Sequence, residues 1–257
     1  MSYRAPHTFE GPIRDTLLYA DQDWPEIERV HAAKITLLDK QVGRLLRKLD
    51  EMGDLDNTLV LFTSDNGPHG APEGHDFEFF NSNGDLKGLK RDLYEGGVRV
   101  PMIAFWKNKI SKGVTTNHIS AFQDIMPTLA EVAGINIPNH SNGISFLPTL
   151  LNKKQNKHEF LNWELQLSGW FQTLPDGGFR QSCRMDNWKA VRYGINSEIE
   201  LFNLNQDISE SNNIASQHPE LTERMIKIFE SSRTDAPFFP YGGVIQNYKS
   251  QDKHLKE

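Results

Sequence analysis

The chain has 257 residues, a net charge of −6, 37% hydrophobic and 24% charged residues, and a single cysteine, Cys183. That length suits one large domain or two smaller ones with a sizeable core, and the ordinary composition excludes a disordered or fibrous class. One cysteine excludes an intrachain disulfide and a zinc site built on several thiolates, the acidic balance gives no electrostatic reason to expect nucleic acid or an anionic membrane, and no apolar run reaches the ~20 residues of a membrane helix.

The opening stretch, MSYRAPHTFEGP, has no apolar signal-peptide core and reads as a loop from inside a domain, so the chain is expected to start partway through a larger fold. The first clear element is a long helix. Ile35, Leu38, Val42, Leu45, Leu49 and Met52 step by three and four, which predicts one buried face. Asp23 is placed to cap it, Pro25 suits its first turn, Glu26 completes a capping box and Gly53 stops it. Lys40, Arg44, Arg47 and Lys48 form its solvated face. Next, TLVLFTS has apolar Leu59 to Phe62 without alternation, as in a strand covered on both faces. Helix, short loop, buried strand is the rhythm of an α/β fold. A second strand is read at Val98 to Trp106, weakened by Pro101, and a helix at DIMPTLAEVAG, capped by Asp124 and stopped by Gly134.

About 30 residues with little periodicity separate the two strands, and a loop of that length is usually functional or disordered. It follows the C-terminal end of a strand, where ligands of open α/β sheets collect. Composition shifts near LLNKKQNKHEF, which sets the expected domain boundary at 155/156. Beyond it, EFLNWEL, GFRQSCRM, NWKAVRYG and EIELFNLN read as short antiparallel strands, followed by the helix HPELTERMIKIFESS. The tail after it has no firm pattern.

Asp65 and Asn66 end the first strand. Carboxylate and amide oxygens are hard ligands suited to Ca²⁺ or Mg²⁺, yet Asp-Asn-Gly is also a turn signal, and alone the turn is the stronger reading. Two ligands fall short of the roughly 6–8 oxygens calcium takes. In LKGLKRDLYEGGVRVP, a lysine near an anion pocket is able to hold a phosphoryl or sulfuryl oxygen, whereas Lys87 and Arg91 suit a solvated loop. Gly96 and Gly97 read as a backbone turn. His7 in APHT, His69 and His75 are comparable general-acid candidates by spacing alone. There is no Gly-x-Ser-x-Gly elbow, P-loop or Cys-x-x-Cys pair, and Cys183 reads as a small buried hydrophobe.

These segments together resemble the later part of a type I sulfatase, of the arylsulfatase kind within the alkaline phosphatase superfamily. The likeness rests on VGRLLRKLDEMGDLDNTLVLFTSDNG, on the Lys-x(4)-Glu-Gly-Gly-x-Arg-x-Pro block of LKGLKRDLYEGGVRVPMIAFW, on FQDIMPTLAEVAGI, and on NWKAVRYG with IELFNLNQDISESNNIA. It implies an alkaline-phosphatase-like mixed sheet flanked by helices, partial, over residues 1–155. A small α+β subdomain with an antiparallel sheet, one helix and a tail would follow over 156–257. It implies that Asp65 and Asn66 ligate Ca²⁺ (Mg²⁺ in some members), that Lys90 binds the sulfate, and that His7 contacts the sulfate and assists the leaving group. His75 would line the substrate pocket. The substrate would be a sulfated small molecule or carbohydrate, or an aryl sulfate.

The family's nucleophile is a formylglycine made from the first residue of a Cys/Ser-x-Pro-x-Arg motif. No such motif occurs in this sequence, and the family's early Asp-Asp metal ligands are absent as well. The expectation is a chain that is inactive alone and completed by the missing N-terminal half of its domain. Family members are often exported, but the sequence leaves the compartment open. A phosphate or phosphonate ester hydrolase of the same superfamily, and a non-catalytic remnant that binds a ligand or partner, are the alternatives.

Overall fold

The structure, a computed structural model, describes residues 3–7, 16–70, 74–137, 139–167 and 173–234. The tail beyond these lies outside the described residues. The chain forms two compact units, Met1–Gly84 with Gly96–Lys157, and Asp85–Glu95 with His158–Glu257. It is a mixed α/β protein, and among the described residues it has two sheets, both antiparallel.

The first unit is led by α1 (Glu26–Glu51). It starts after Pro25, at φ −51° and ψ 145°, so Asp23 lies outside the cap and no side chain caps this end. The expected capping box is therefore absent, and the helix's first donors turn to the Pro25 carbonyl, with Glu28 and Arg29 N–H at 3.0 and 3.1 Å. At the other end Gly53 takes the left-handed φ of 77° that a helix stop calls for. The basic face is exposed as expected. The apolar face is only half covered: Ile35 is 47% and Met52 60% exposed, whereas Ala33, Glu28 and Lys34 are buried. Polar residues thus own the best-packed side of this helix.

Strand β1 (Val60–Thr63) pairs with β2 (Met102–Phe105), with Val60 opposite Phe105 and Phe62 opposite Ile103. Opposed residues share a face, so Phe62, Ile103 and Phe105 line one side of this two-stranded sheet. They are 38, 62 and 36% exposed, which corrects the expectation of a strand covered on both faces. A two-stranded ladder offers each strand a single neighbour, and apolar composition cannot supply the layer that would cover it. Pro101 stands just before β2 and shortens it. Between them, α2 (Glu95–Val98) is a helical turn where a backbone turn was read at Gly96 and Gly97. Helix α3 (Ile125–Ala133) stops at Gly134, φ 68°. Fully buried Asp124 receives the N–H groups of Ala121 and Ile144, each at 2.8 Å, instead of capping its own helix. The short α4 (Leu147–Leu150) follows.

The second unit follows the expected order. Strands β3 (Leu161–Gln166), β4 (Phe179–Met185), β5 (Trp188–Tyr193) and β6 (Glu200–Asn203) form one antiparallel sheet in chain order, and α5 (Pro219–Ser231) follows it. Alternation decides its layers. Cys183, Ala190 and Leu201 point to α5 and meet Met225, Ile228 and Phe229 in the main core. Val191 and Phe202 point the other way and pack with Tyr94 and Tyr193. Segment 85–95 therefore covers the sheet face opposite the helix.

Candidate functional site

Asp65 and Asn66 sit in the loop that leaves β1, where the sequence places them. The loop is shaped locally: Ser64 Oγ donates to the Asn66 carbonyl at 2.8 Å, and Asn66 Nδ2 to the Gly67 carbonyl at 2.9 Å. Asp65 is exposed, and among the described residues nothing donates to its carboxylate or to Asn66 Oδ1. These hard oxygens, with no donor among the described residues, fit a calcium ion by type. They are part of a shell only, since no group of three or more His, Cys, Asp or Glu side chains among the described residues is arranged to hold a metal.

What fixes this loop is a glycine crossing that sequence reasoning missed. Gly67 N–H donates to the Gly97 carbonyl at 3.0 Å. A Cβ built on Gly67 would stand 1.8 Å from the Gly96 carbonyl oxygen. The glycine of Asp-Asn-Gly and the pair in Glu-Gly-Gly are therefore two sides of one close backbone contact, which only glycine permits. The signal was present in both motifs but separated by about 30 residues.

His7 is half-buried and joins the same unit. Its ring stacks on His69 with centroids 5.7 Å apart, and His69 lies three residues after Asn66. The His7 carbonyl accepts from Lys34 Nζ at 3.1 Å. His75 is 4% exposed rather than open to a pocket: its Nδ1 lies 3.3 Å from Glu28 Oε2.

Lys90 belongs to the second unit and is half-buried at the crown of a tight turn. Asp92 N–H donates to the Leu89 carbonyl at 2.8 Å, and Asp92 Oδ2 accepts from Leu89 N–H at 2.9 Å. Arg91 follows at φ 80°, a left-handed conformation that costs a side chain about 1–2 kcal/mol. The turn is held in that shape from the sheet. Arg180 donates to the Arg91 carbonyl and to Asp92 Oδ1, both at 2.9 Å, and Tyr193 Oη donates to Asp92 Oδ1 at 3.0 Å. Tyr94 Oη bonds Glu200, and burial pushes the Tyr94 and Tyr193 phenols up, so both remain neutral donors.

Below the turn, Glu95 (2% exposed) receives Lys189 Nζ at 2.9 Å and Arg184 at 3.1 Å. Glu210 Oε2 accepts the Glu95 N–H at 2.6 Å, and its Oε1 lies 3.2 Å from Lys189 Nζ. Burial pushes the Glu210 carboxyl up, against the pull of Lys189. Lys87 lies 3.6 Å from Glu200 and 3.9 Å over the Tyr94 ring, tied to protein rather than merely solvated. Cys183 is fully buried and its thiol is pushed up to about 12 by burial, consistent with a small hydrophobe.

Comparison with known proteins adds three kinds of finding: family profiles, relatives and a solved structure. The profile of the sulfatase family matches residues 2–135, and that of the C-terminal part of N-sulphoglucosamine sulphohydrolase matches residues 88–235. An N-acetylgalactosamine-6-O-sulfatase of Bacteroides thetaiotaomicron is 30% identical over 214 residues, spanning 78% of this chain and 41% of that protein. The uncharacterized sulfatase YdeN of Escherichia coli is 29% identical over 255 residues, 88% of this chain and 44% of its own length. The crystal structure of Ps i-CgsB in complex with k-i-k-neocarrahexaose superposes with a TM-score of 0.72 at 27% identity, covering 88% of this chain and 47% of that one. The chain thus spans under half the length of the relatives it matches.

Proposed function

Given that the chain belongs to the sulfatase family, we propose that it supplies the charge-stabilising part of a sulfuric ester hydrolase, acting on a sulfated carbohydrate or aryl sulfate. In this reading residues 1–155 are part of an alkaline-phosphatase-like catalytic domain and 156–257 its small C-terminal subdomain. The observation that carries it is the arrangement around Asp65 and Asn66: oxygens with no donor among the described residues, on a loop locked by the Gly67–Gly97 crossing, with His7 and His69 alongside. Asp65 and Asn66 would hold calcium, or magnesium, with further oxygens from elsewhere. The bound ion supplies positive charge against sulfate oxygens.

The chain's own residues act around it. The Lys90 ammonium neutralises a sulfate oxygen, and the turn closed by Asp92 holds that lysine in one place while charge develops. His7 delivers a proton to the departing alcohol oxygen. The sequence has no Cys/Ser-x-Pro-x-Arg motif, so the attacking group comes from outside these 257 residues. The partner required is a polypeptide bearing that motif and the remaining ligands. The same absence supports the second reading, a non-catalytic chain that binds a sulfated ligand.

Purified chain with calcium should release no nitrophenol from 4-nitrophenyl sulfate, while the lysine and histidine NMR signals of Lys90 and His7 should respond to sulfate. Turnover that disappears in Lys90→Ala would overturn the external nucleophile. Silence of both signals would overturn the site itself.

A further inference from the structure

The turn that carries Lys90 holds one residue against its preference. Two positions in it are left-handed, Gly88 at φ 86° and Arg91 at φ 80°. Glycine adopts that conformation freely, and position 88 requires it, since a Cβ there would stand 2.9 Å from the Asp92 Cβ. Arg91 has no such freedom, because its own Cβ crowds the carbonyl oxygen that follows. Left to itself, this residue would relax toward the right-handed or extended regions.

The side chain that reaches both the strained residue and the carboxylate closing the turn is Arg180, on β4. It is 11% exposed, and its Nη1 donates to the Arg91 carbonyl and to Asp92 Oδ1. The other oxygen of Asp92 accepts the Leu89 N–H. Backbone on both sides of Lys90 is thus tied to one guanidinium, directly through Arg91 and by way of Asp92 through Leu89. The guanidinium is itself fixed before it meets the turn. Its Nε donates to Asp176 Oδ2 at 2.9 Å, and its plane lies 4.2 Å from the centre of the Tyr193 ring. Asp176 is anchored in turn, with Oδ1 accepting the Gly178 N–H at 2.9 Å. A rigid fork of donors makes these contacts together, whereas the flexible ammonium of a lysine is a point charge without that fork. All of these residues belong to the second unit.

We propose that Arg180 is a positioning residue: it holds Arg91 left-handed and so sets where the Lys90 ammonium stands, acting through the turn rather than on the ligand. The strain at Arg91 and the clasp from Arg180 are a matched pair, and relieving the first makes the second dispensable. The inference rests on the reading of Lys90 as a sulfate ligand and adds to it a residue from the C-terminal sheet.

The test uses the whole chain with ¹⁵N-labelled lysine, in calcium, titrated with inorganic sulfate, as the parent, Arg180→Lys, Arg91→Gly and the double variant. In the parent the Lys90 signal should move with sulfate. Arg180→Lys keeps the charge and loses the fork. It should weaken sulfate at Lys90 about tenfold and speed amide exchange at Leu89 and Asp92 by a similar factor, with circular dichroism unchanged. Adding Arg91→Gly should bring both back to within about twofold of the parent, because glycine takes a left-handed φ without strain. Parent-like sulfate affinity in Arg180→Lys overturns the inference, as does a double variant no better than Arg180→Lys. If Arg180→Lys does not fold, Arg91→Gly alone decides: slower exchange at Leu89 and Asp92 than in the parent supports the strain, and equal or faster exchange overturns it. A parent Lys90 signal that ignores sulfate overturns the sulfatase reading of this lysine and the inference with it, whereas the other negative results leave that reading standing.

Discussion

Burial holds the His31 imidazole uncharged down to about pH 4, with His75 and Lys34 adding to the effect. In the unfolded chain the same ring titrates near 6.5. The unfolded state therefore binds more protons as pH falls, so this contribution is intact above pH 6.5 and is lost progressively toward pH 4. His31 is partly exposed, and after solvent screening the loss at pH 5 should be about 1 kcal/mol. The groups that face it are His75 and Lys34, with Glu28 bound to His75 and Phe80 alongside. Urea midpoints at pH 7.5 and pH 5 should separate by that extra amount in the parent chain relative to His31→Phe. Identical pH dependence in the two would show that His31 is not the group responsible.

The inserted segment 85–95 is the element whose role was least visible beforehand. Lys189 is fully buried and lies against both Glu95 and Glu210. Such an ion group is costly to desolvate and even costlier to break, because removing one partner leaves buried charge uncompensated. Lys189→Ala should lower stability by about 3–5 kcal/mol, read as a shift of the denaturant midpoint. It should also speed amide exchange across 89–95, where the turn around Lys90 depends on the same sheet. Loss of stability without faster exchange in that segment would separate the ion group from the turn. Periodicity made α1, α3, α5 and the four C-terminal strands legible, since each announces itself over a few turns or alternations. The position of Asp65 and Asn66 just past β1 was legible from the apolar run that precedes them. Glu95 pairing with Lys189 was not, because nothing local in LYEGG says that its acid is buried 94 residues away from its partner. The Asp23 cap failed for a related reason: Pro25 fixes where α1 starts, and Glu28, which sits in its first turn, is engaged by His75 and Asp76.

At the scale of the whole molecule, most of the exposed large apolar side chains among the described residues belong to the first unit, with Ile195 the exception in the second. Phe62, Ile103 and Phe105 line one face of the two-stranded sheet, and Met126 and Leu129 on α3 are 46 and 48% exposed. Open strand edges and a bare apolar face together favour association with another polypeptide. The chain on its own should therefore self-associate as concentration rises, and Ile103→Lys, at a position already 62% exposed, should suppress this with little loss of fold stability. Sedimentation velocity over a concentration series, beside the circular dichroism of both proteins, checks it. A monomeric parent chain, or an associated variant, would contradict it. No helix among the described residues is long and apolar enough to cross a membrane.

The segment around Lys90 also sets a clock. It is made before the sheet that receives it: Glu95 waits 94 residues for Lys189 and 115 for Glu210. At about 5–20 residues per second, the ribosome leaves that acid without its cation for roughly 5–20 s. Through that interval the turn has no sheet to hold Arg91 left-handed, and Lys90 has no fixed place. Lys90 is thus among the early residues to emerge and among the late ones to be set, and a nascent chain stalled before residue 189 would carry its turn unformed.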